Sequence, residues 1–438
     1  MWPYHPELLA RAVPRYTSFP TAAEFGANVG ARQQAAALGA ARGDISLYVH
    51  IPYCRDICWY CGCNTGRAGR EQRLASYLEA LDVEIGLVAR TLPRDARVRR
   101  IAFGGGSPNA VHAIDFLRLV DRLLTSFAAA PEVISVELDP RGLDPGWGEV
   151  LSRAGVTHAS LGVQSFDPAV QAAIGRVQPE TEIVAAVDML RTAGVESLNF
   201  DLMYGLPGQG LAVLDATLDA TIALRPERIA LFGYAHVPHL IPRQRQIDAS
   251  ALPGTDARFA MAAHGARRLV DAGWQAIGFD HFALPGDGMA KAAREGTLRR
   301  NFQGFTDDAA ETLIGLGASA ISSFPGLLVQ NEKNAGRYRM RLSQGLLTGA
   351  LGVERSRNDR ERALLIEDLL CGRDGDASLF LPDARIETAL APFEKTGVIQ
   401  RQGSMLLQAA ASAPYLRSIA ALFDPYRDAA PNRFSSAI

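Results

Sequence analysis

From residue 46 to about 280, short runs of apolar and β-branched residues alternate with stretches whose apolar positions recur at three and four spacing. The runs are "SLYVHI" (46–51), "RRIAFGG" (99–105), "VISVELD" (133–139), "HASLGVQ" (158–164), "SLNFDLMYG" (197–205), "RIALFGYAHV" (228–237) and "QAIGFDHFA" (275–283). Strands of this kind separated by helices predict an α/β fold with parallel βαβ crossovers. Six or seven units point to a (β/α) barrel, complete or partial, with a doubly wound open sheet as the alternative. The runs end in Cys, Gly-Gly-Gly, Glu-x-Asp, Gln, Asp or His, and a barrel gathers such ends around one mouth.

Residues 1–40 carry little strand character and form an N-terminal segment expected to cover the site, ahead of a barrel domain over 41–350. Beyond it, "RNDRERALLIEDLLCG" and "DARIETALAPFEKTGVI" predict amphipathic helices and "VIQRQGSMLLQ" a hairpin, giving a C-terminal, mainly helical domain over 351–438.

Composition narrows the class. Hydrophobic residues make up 48% of the 438 residues, charged residues 21%, and the formal net charge is -2. That balance describes a globular protein and advertises neither nucleic acid nor a membrane surface as partner. No apolar run is long enough to span a bilayer and the N-terminus lacks a signal-peptide core, so a cytoplasmic location is expected.

Four of the five cysteines, Cys54, Cys58, Cys61 and Cys63, crowd into "YCRDICWYCGC" at the end of the first run. An odd number of clustered thiols makes a poor disulfide framework and a good metal or redox site. Cys371, in "LLIEDLLCG", reads as a buried small hydrophobe. The Cys-x3-Cys-x2-Cys spacing suits three corners of a cubic iron-sulfur cluster, with zinc and free thiols as the other readings. Cys61 and Cys63 are separated by one residue, so both cannot ligate neighbouring irons without distorting the loop, and Cys63 is placed outside the cluster ligands.

The cysteine loop resembles that of the radical S-adenosylmethionine superfamily, whose motif follows the first strand of a partial barrel. "PRYTSFPTA", "YVHIPYCRDICWYCGCN", "FGGGSP", "VELDPR", "SLGVQSF", "DLMYGLP", "YAHVP", "DHFA" and "REGTLRRNFQGFT" narrow the resemblance to the oxygen-independent coproporphyrinogen III dehydrogenases, over about residues 14–322. The resemblance implies a partial (β/α)6 TIM-type barrel, a 4Fe-4S cluster on Cys54, Cys58 and Cys61, and two molecules of S-adenosyl-L-methionine. Tyr48, Gly105, Glu137, Ala235 and Ile321 match positions at the first, and Tyr60, Gly106, Ser107, Gln164, Arg176 and Asp201 positions at the second. Cys63, Tyr16 and Arg15 are the implied catalytic residues. Arg245, Arg299 and Arg300 join Arg15 as candidates for the substrate's propionates. His50 and His281 read equally as core histidines.

The implied reaction is oxidative decarboxylation of two propionates of coproporphyrinogen III to vinyl groups, giving protoporphyrinogen IX. A monomer is expected, drawing electrons from a donor such as flavodoxin or ferredoxin and passing them to an unidentified acceptor. Ser107 stands where Thr is usual and Tyr60 where Phe is often found. Leu284 replaces a common basic residue, and "ISSFPGLLVQN" (321–331) is only loosely similar. Three other readings are a haem-trafficking relative without dehydrogenase activity, a radical enzyme for another tetrapyrrole, and a zinc-stabilised binding module.

Overall fold

The computed structural model describes residues 2–69 and 71–427. Six parallel strands follow one another across a sheet in chain order: β1 (Gly43–Ile51), β2 (Ala96–Gly105), β3 (Val133–Leu138), β4 (His158–Gln164), β5 (Ser197–Tyr204) and β6 (Arg228–Gly233). They are separated by helices α1 (Glu71–Thr91), α2 (Ala113–Ser126), α3 (Pro145–Arg153), α4 (Glu180–Thr192) and α5 (Leu211–Leu224), and α6 (Thr255–Asp271) follows β6.

Strand alternation sorts the side chains. In β4, Ala159, Leu161 and Val163 are buried on the helix side, while His158 and Ser160 turn to the other face and line a cavity. The helices answer with one apolar stripe each; α2 buries Phe116, Leu119, Val120 and Leu123 and leaves Arg118 in water. Each fully buried aliphatic of this layer contributes about 1.5–3 kcal/mol through removal from water. Helix starts are fixed locally: Pro145 opens α3 behind Asp144, whose carboxylate accepts the Gly146 N–H at 2.9 Å.

The sheet is larger than the expected six or seven units. Among the described residues it has twelve strands, extended at both edges by antiparallel pairing. "QAIGFDHFA" is not another βα unit but a hairpin of β7 (Gln275–Ile277) and β8 (His281–Ala283), because the chain reverses at Gly278, whose φ is +58°. On the other side of β1 lie β9 (Thr312–Leu316), parallel to it, and the antiparallel β10 (Ile321–Phe324), β11 (Leu327–Asn331) and β12 (Gly349–Glu354). Strand β12 therefore runs across residue 350, where the helical patterns of the tail are expected to begin a separate domain.

Glu84 ties this added edge to helix α1. Fully buried, it accepts from Gly317 N (2.6 Å), Tyr338 Oη (2.7 Å), Asn331 Nδ2 (3.0 Å) and Thr348 Oγ1 (2.5 Å). Burial pushes its carboxyl upward, and these four donors oppose that shift.

The C-terminal residues form α7 (Arg357–Leu370), opened by a Ser356/Asp359 capping box, the helix Ala384–Lys395, and a small sheet containing the hairpin 399–408. They reach back to the N-terminal segment. Arg417 donates to the carbonyls of Pro14 (3.2 Å) and Val13 (2.8 Å), Tyr415 Oη to that of Pro3 (2.5 Å), and Tyr16 Oη to Asp424 Oδ2 (3.0 Å). Among the described residues no helix is long and apolar enough to cross a membrane.

Candidate active site

The cavity-facing residues form layers. Near the strand beginnings, Arg100 pairs with Asp307 (2.6 Å), Arg228 with Asp287 (2.8 Å) and Ser46 with Asp308 (2.5 Å), laying a charged floor beside His158. Burial and the nearby Arg228 charge push His158 down to about 4. Above it, a cavity of about 380 Å³ is lined by Ser160, Asn199, Phe232 and His281 and reaches Glu137 and Asp201.

At the strand ends the chain thickens into the cysteine loop, stapled to the turn after β2. Gly106 N donates to Ile51 O (2.8 Å) and Ser107 N to Tyr53 O (2.8 Å). A Cβ on Gly106 would stand 2.4 Å from Tyr53 O, so glycine is what allows this approach. Glu137 Oε2 accepts the Gly105 N–H at 3.2 Å. Burial, reinforced by the charge of Asp201, raises the Glu137 carboxyl to about 7. Asp201 is raised by burial too, against donation from Asn199 (2.9 Å) and Ser160 (3.0 Å).

Cys58 sits in a cationic setting. Arg176 Nη1 lies 3.2 Å and Arg141 Nη2 3.5 Å from its Sγ, and Asp139 holds both guanidinium groups, at 3.1 and 2.7 Å. The Cys63 backbone N–H donates to Cys61 Sγ (3.4 Å). Donation from the Cys63 thiol lowers Cys61 to about 6 and raises Cys63, while burial and the charges of Cys61 and Cys58 lift Cys54 to about 12.

Among the described residues no three His, Cys, Asp or Glu side chains stand close enough together to hold one metal ion. A 4Fe-4S cluster makes a different demand, one soft thiolate for each of three irons, and Cys54, Cys58 and Cys61 are free thiols on one loop beside two guanidinium groups. That donor set fits the cluster, and the Gly105–Glu137 pair beside it offers a carboxylate and backbone groups for an amino-acid end.

Comparison with known proteins decides the family. Residues 48–220 match the radical SAM superfamily. An oxygen-independent coproporphyrinogen III oxidase from Bradyrhizobium diazoefficiens is 42% identical over 97% of both chains, and one from Paracoccus denitrificans 40% identical over 97% of this chain and 96% of its own. The chain belongs to the oxygen-independent coproporphyrinogen III oxidase family. A solved coproporphyrinogen III oxidase from Escherichia coli, described as a radical SAM enzyme, superposes with a TM-score of 0.89 at 32% identity, covering 97% of this chain and 99% of its own.

Among the other sequence candidates in this oxidase-family chain, Tyr48 Oη contacts His50 Nδ1 (3.1 Å) and its ring meets Phe302 edge-on. Burial lowers His50 to about 4. Gln164 closes β4 with a left-handed φ of +65°, beside the Gly162 carbonyl that Arg176 Nη2 grips at 2.7 Å. Gln244 Nε2 donates to the carbonyls of Tyr60 and Ala235, both at 3.0 Å, and so ties the loop to the chain after β6. Ile321 opens β10 opposite Gln330.

The four arginines offered for the propionates divide. Arg15 lies over the Phe232 ring (4.9 Å) and reaches Gly233 O (3.4 Å), and Arg300 stacks on Phe305 (4.5 Å) while holding the Tyr16 and Arg15 carbonyls. Arg299 pairs with Glu367 (3.3 Å), and Arg245 is exposed on a short helical turn. Tyr16 gives its hydroxyl to Asp424 and is buried there, and His281 pairs with Asp280 (2.6 Å). The residues that sequence reading missed are Arg141 and the bridging role of Asp139. Their signal was "DPR", directly after the Glu137 strand end.

Proposed function

We propose that this protein oxidatively decarboxylates two propionates of coproporphyrinogen III to vinyl groups, forming protoporphyrinogen IX. The observation that carries the reading is Glu137, which lines the cavity with Asp201 and His281, holds the Gly105 N–H and feels the charge of Cys61 on the loop of three free cysteines, in a chain of the coproporphyrinogen III oxidase family.

A 4Fe-4S cluster on Cys54, Cys58 and Cys61 with S-adenosylmethionine would supply one-electron cleavage of a sulfonium and a carbon radical able to abstract a propionate hydrogen. The chain's own work is placement. Gly105 meets the methionyl amino group of the first S-adenosylmethionine and Glu137 its ribose hydroxyls or sulfonium charge, with Tyr48, Ala235 and Ile321 around it. Tyr60, Gly106, Ser107, Gln164, Arg176 and Asp201 form the setting for a second. Arg15 and Arg300, fixed against aromatic faces, present cations to propionates. Cys63, beside the ligand Cys61 but outside the ligand set, and Tyr16 complete the catalytic group.

This reading takes the curved region around β1–β6 as a partial (β/α)6 barrel within 41–350, with residues 1–40 and 351–438 as attached units. It takes the protein as a cytoplasmic monomer served by a low-potential one-electron carrier and a separate acceptor.

Anaerobically reconstituted protein with reductant, S-adenosylmethionine and coproporphyrinogen III is expected to form protoporphyrinogen IX with release of carbon dioxide. Cleavage of S-adenosylmethionine with no vinyl product overturns the substrate and keeps the superfamily chemistry. Stoichiometric zinc with no iron or sulfide overturns both.

A further inference from the structure

An electron must reach the cysteine loop from outside, and the outer edge of that loop is basic. The segment Gly66–Arg67 pairs in parallel with Tyr53–Cys54, which sets Arg67 directly opposite Cys54 in the register. Arg67 Nε also holds the carbonyl of the exposed Arg55 at 3.3 Å. Beyond it, Arg67, Gln72, Arg73, Ser76 and Arg339 line a surface groove of about 610 Å³. Lys333 adjoins the same loop through its carbonyl, which accepts from Asn64 Nδ2 at 3.4 Å.

The patch is not neutralised. Asp56 pairs with Arg67 at 3.1 Å, and Glu332 is taken by Arg337 at 2.9 Å. Arg73 and Arg339 form no ion pair among the described residues. On a chain whose formal net charge is -2, this is a local positive island, one strand away from a cluster ligand.

We propose that the groove formed by Arg67, Arg73 and Arg339 is the docking surface for an acidic one-electron carrier protein that reduces the cluster. Charge complementarity selects the occupant: a positive patch speeds encounter with an acidic partner by about 10- to 1,000-fold and makes the rate fall with ionic strength. The step moves one electron and nothing else. With a flavin carrier, the anionic hydroquinone becomes a neutral semiquinone and the cluster's charge falls by one, with no bond or proton transferred. The inference rests on the cluster assigned under the proposed function.

The test uses the anaerobically reconstituted full chain and reduced flavodoxin as the probe, with dithionite as a small reductant that needs no docking. Arg73→Glu/Arg339→Glu changes two helix residues outside the cysteine loop. In this variant the second-order reduction rate by flavodoxin is expected to fall at least tenfold and to lose most of its salt dependence. Iron content and the rate with dithionite should match the unaltered protein. Arg153→Glu/Arg357→Glu, with the same change in net charge on other helices, should stay within about twofold of the unaltered rate. Equal flavodoxin rates in the groove variant and the unaltered protein overturn the docking surface, as does an equal slowing in both double variants. Absence of iron and sulfide from the unaltered protein overturns the cluster reading itself.

Discussion

Arg141 and Cys58 meet across 3.5 Å although 83 positions separate them in the chain, and Asp139 holds the Arg141 guanidinium in place at 2.7 Å. A cation donating to a ligand sulfur favours the more negative, reduced state of whatever that sulfur binds. Arg141→Gln is expected to shift the cluster's midpoint potential to more negative values, measured by a redox titration followed by electron paramagnetic resonance. One charge-assisted hydrogen bond, about 1.5–3 kcal/mol, bounds the effect. Arg141→Lys should restore part of the shift, and an unchanged potential in a fully loaded Gln variant refutes the role.

Cys63 lies two positions beyond Cys61, a proposed ligand, and its backbone N–H, unaffected by a side-chain change, already serves Cys61 Sγ. Cys63→Ser is therefore expected to keep about the unaltered iron content while vinyl formation falls by at least tenfold. Loss of iron in proportion to activity would make Cys63 a ligand and contradict its placement.

Gly105 has φ +103°, and a Cβ there would stand 2.2 Å from the His50 imidazole. Neither the left-handed backbone nor that approach suits alanine, and the displaced N–H is the one Glu137 accepts. Gly105→Ala is expected to weaken S-adenosylmethionine binding at least tenfold, measured by equilibrium dialysis, with the iron content retained.

Acid should destabilise the fold through its buried histidines. His158 and His50 are both pushed from 6.5 to about 4 by burial, so the unfolded chain binds more protons than the folded one between these values. Their contribution is complete above pH 6.5 and is lost as pH falls towards 4, by up to about 3 kcal/mol for each. Glu137, raised to about 7, and the raised Glu84 and Asp201 act in the opposite sense over the same range, so the check is a difference: from pH 7 to 4.5 the thermal midpoint of the unaltered protein should drop relative to that of His158→Asn. An unchanged difference would mean that His158 already carries its proton in the folded state.

How far the sequence foretold all this depends on the range of each interaction. Strand β4 lies where "HASLGVQ" places it, because strict alternation is a local signal. The edge strands over 275–283 and 321–331 are too short for a period to show, and their tight turns carry the information instead. At the site, the cysteines and the glycine turn announced themselves through spacing. The Arg141 and Arg176 contacts to Cys58 did not, since no local pattern reports that β3, β4 and the loop converge. Nor did Tyr16, whose partner Asp424 lies 408 residues away.

The N-terminal segment is held by Arg300 and Arg417 through the carbonyls of Val13, Pro14, Arg15 and Tyr16. A clasp on main-chain oxygen is indifferent to what each residue carries. The side chain of Arg15 can therefore change while the strap stays fastened, and because Tyr415 on Pro3 and Asp424 on Tyr16 share the hold, loosening it takes more than one broken grip.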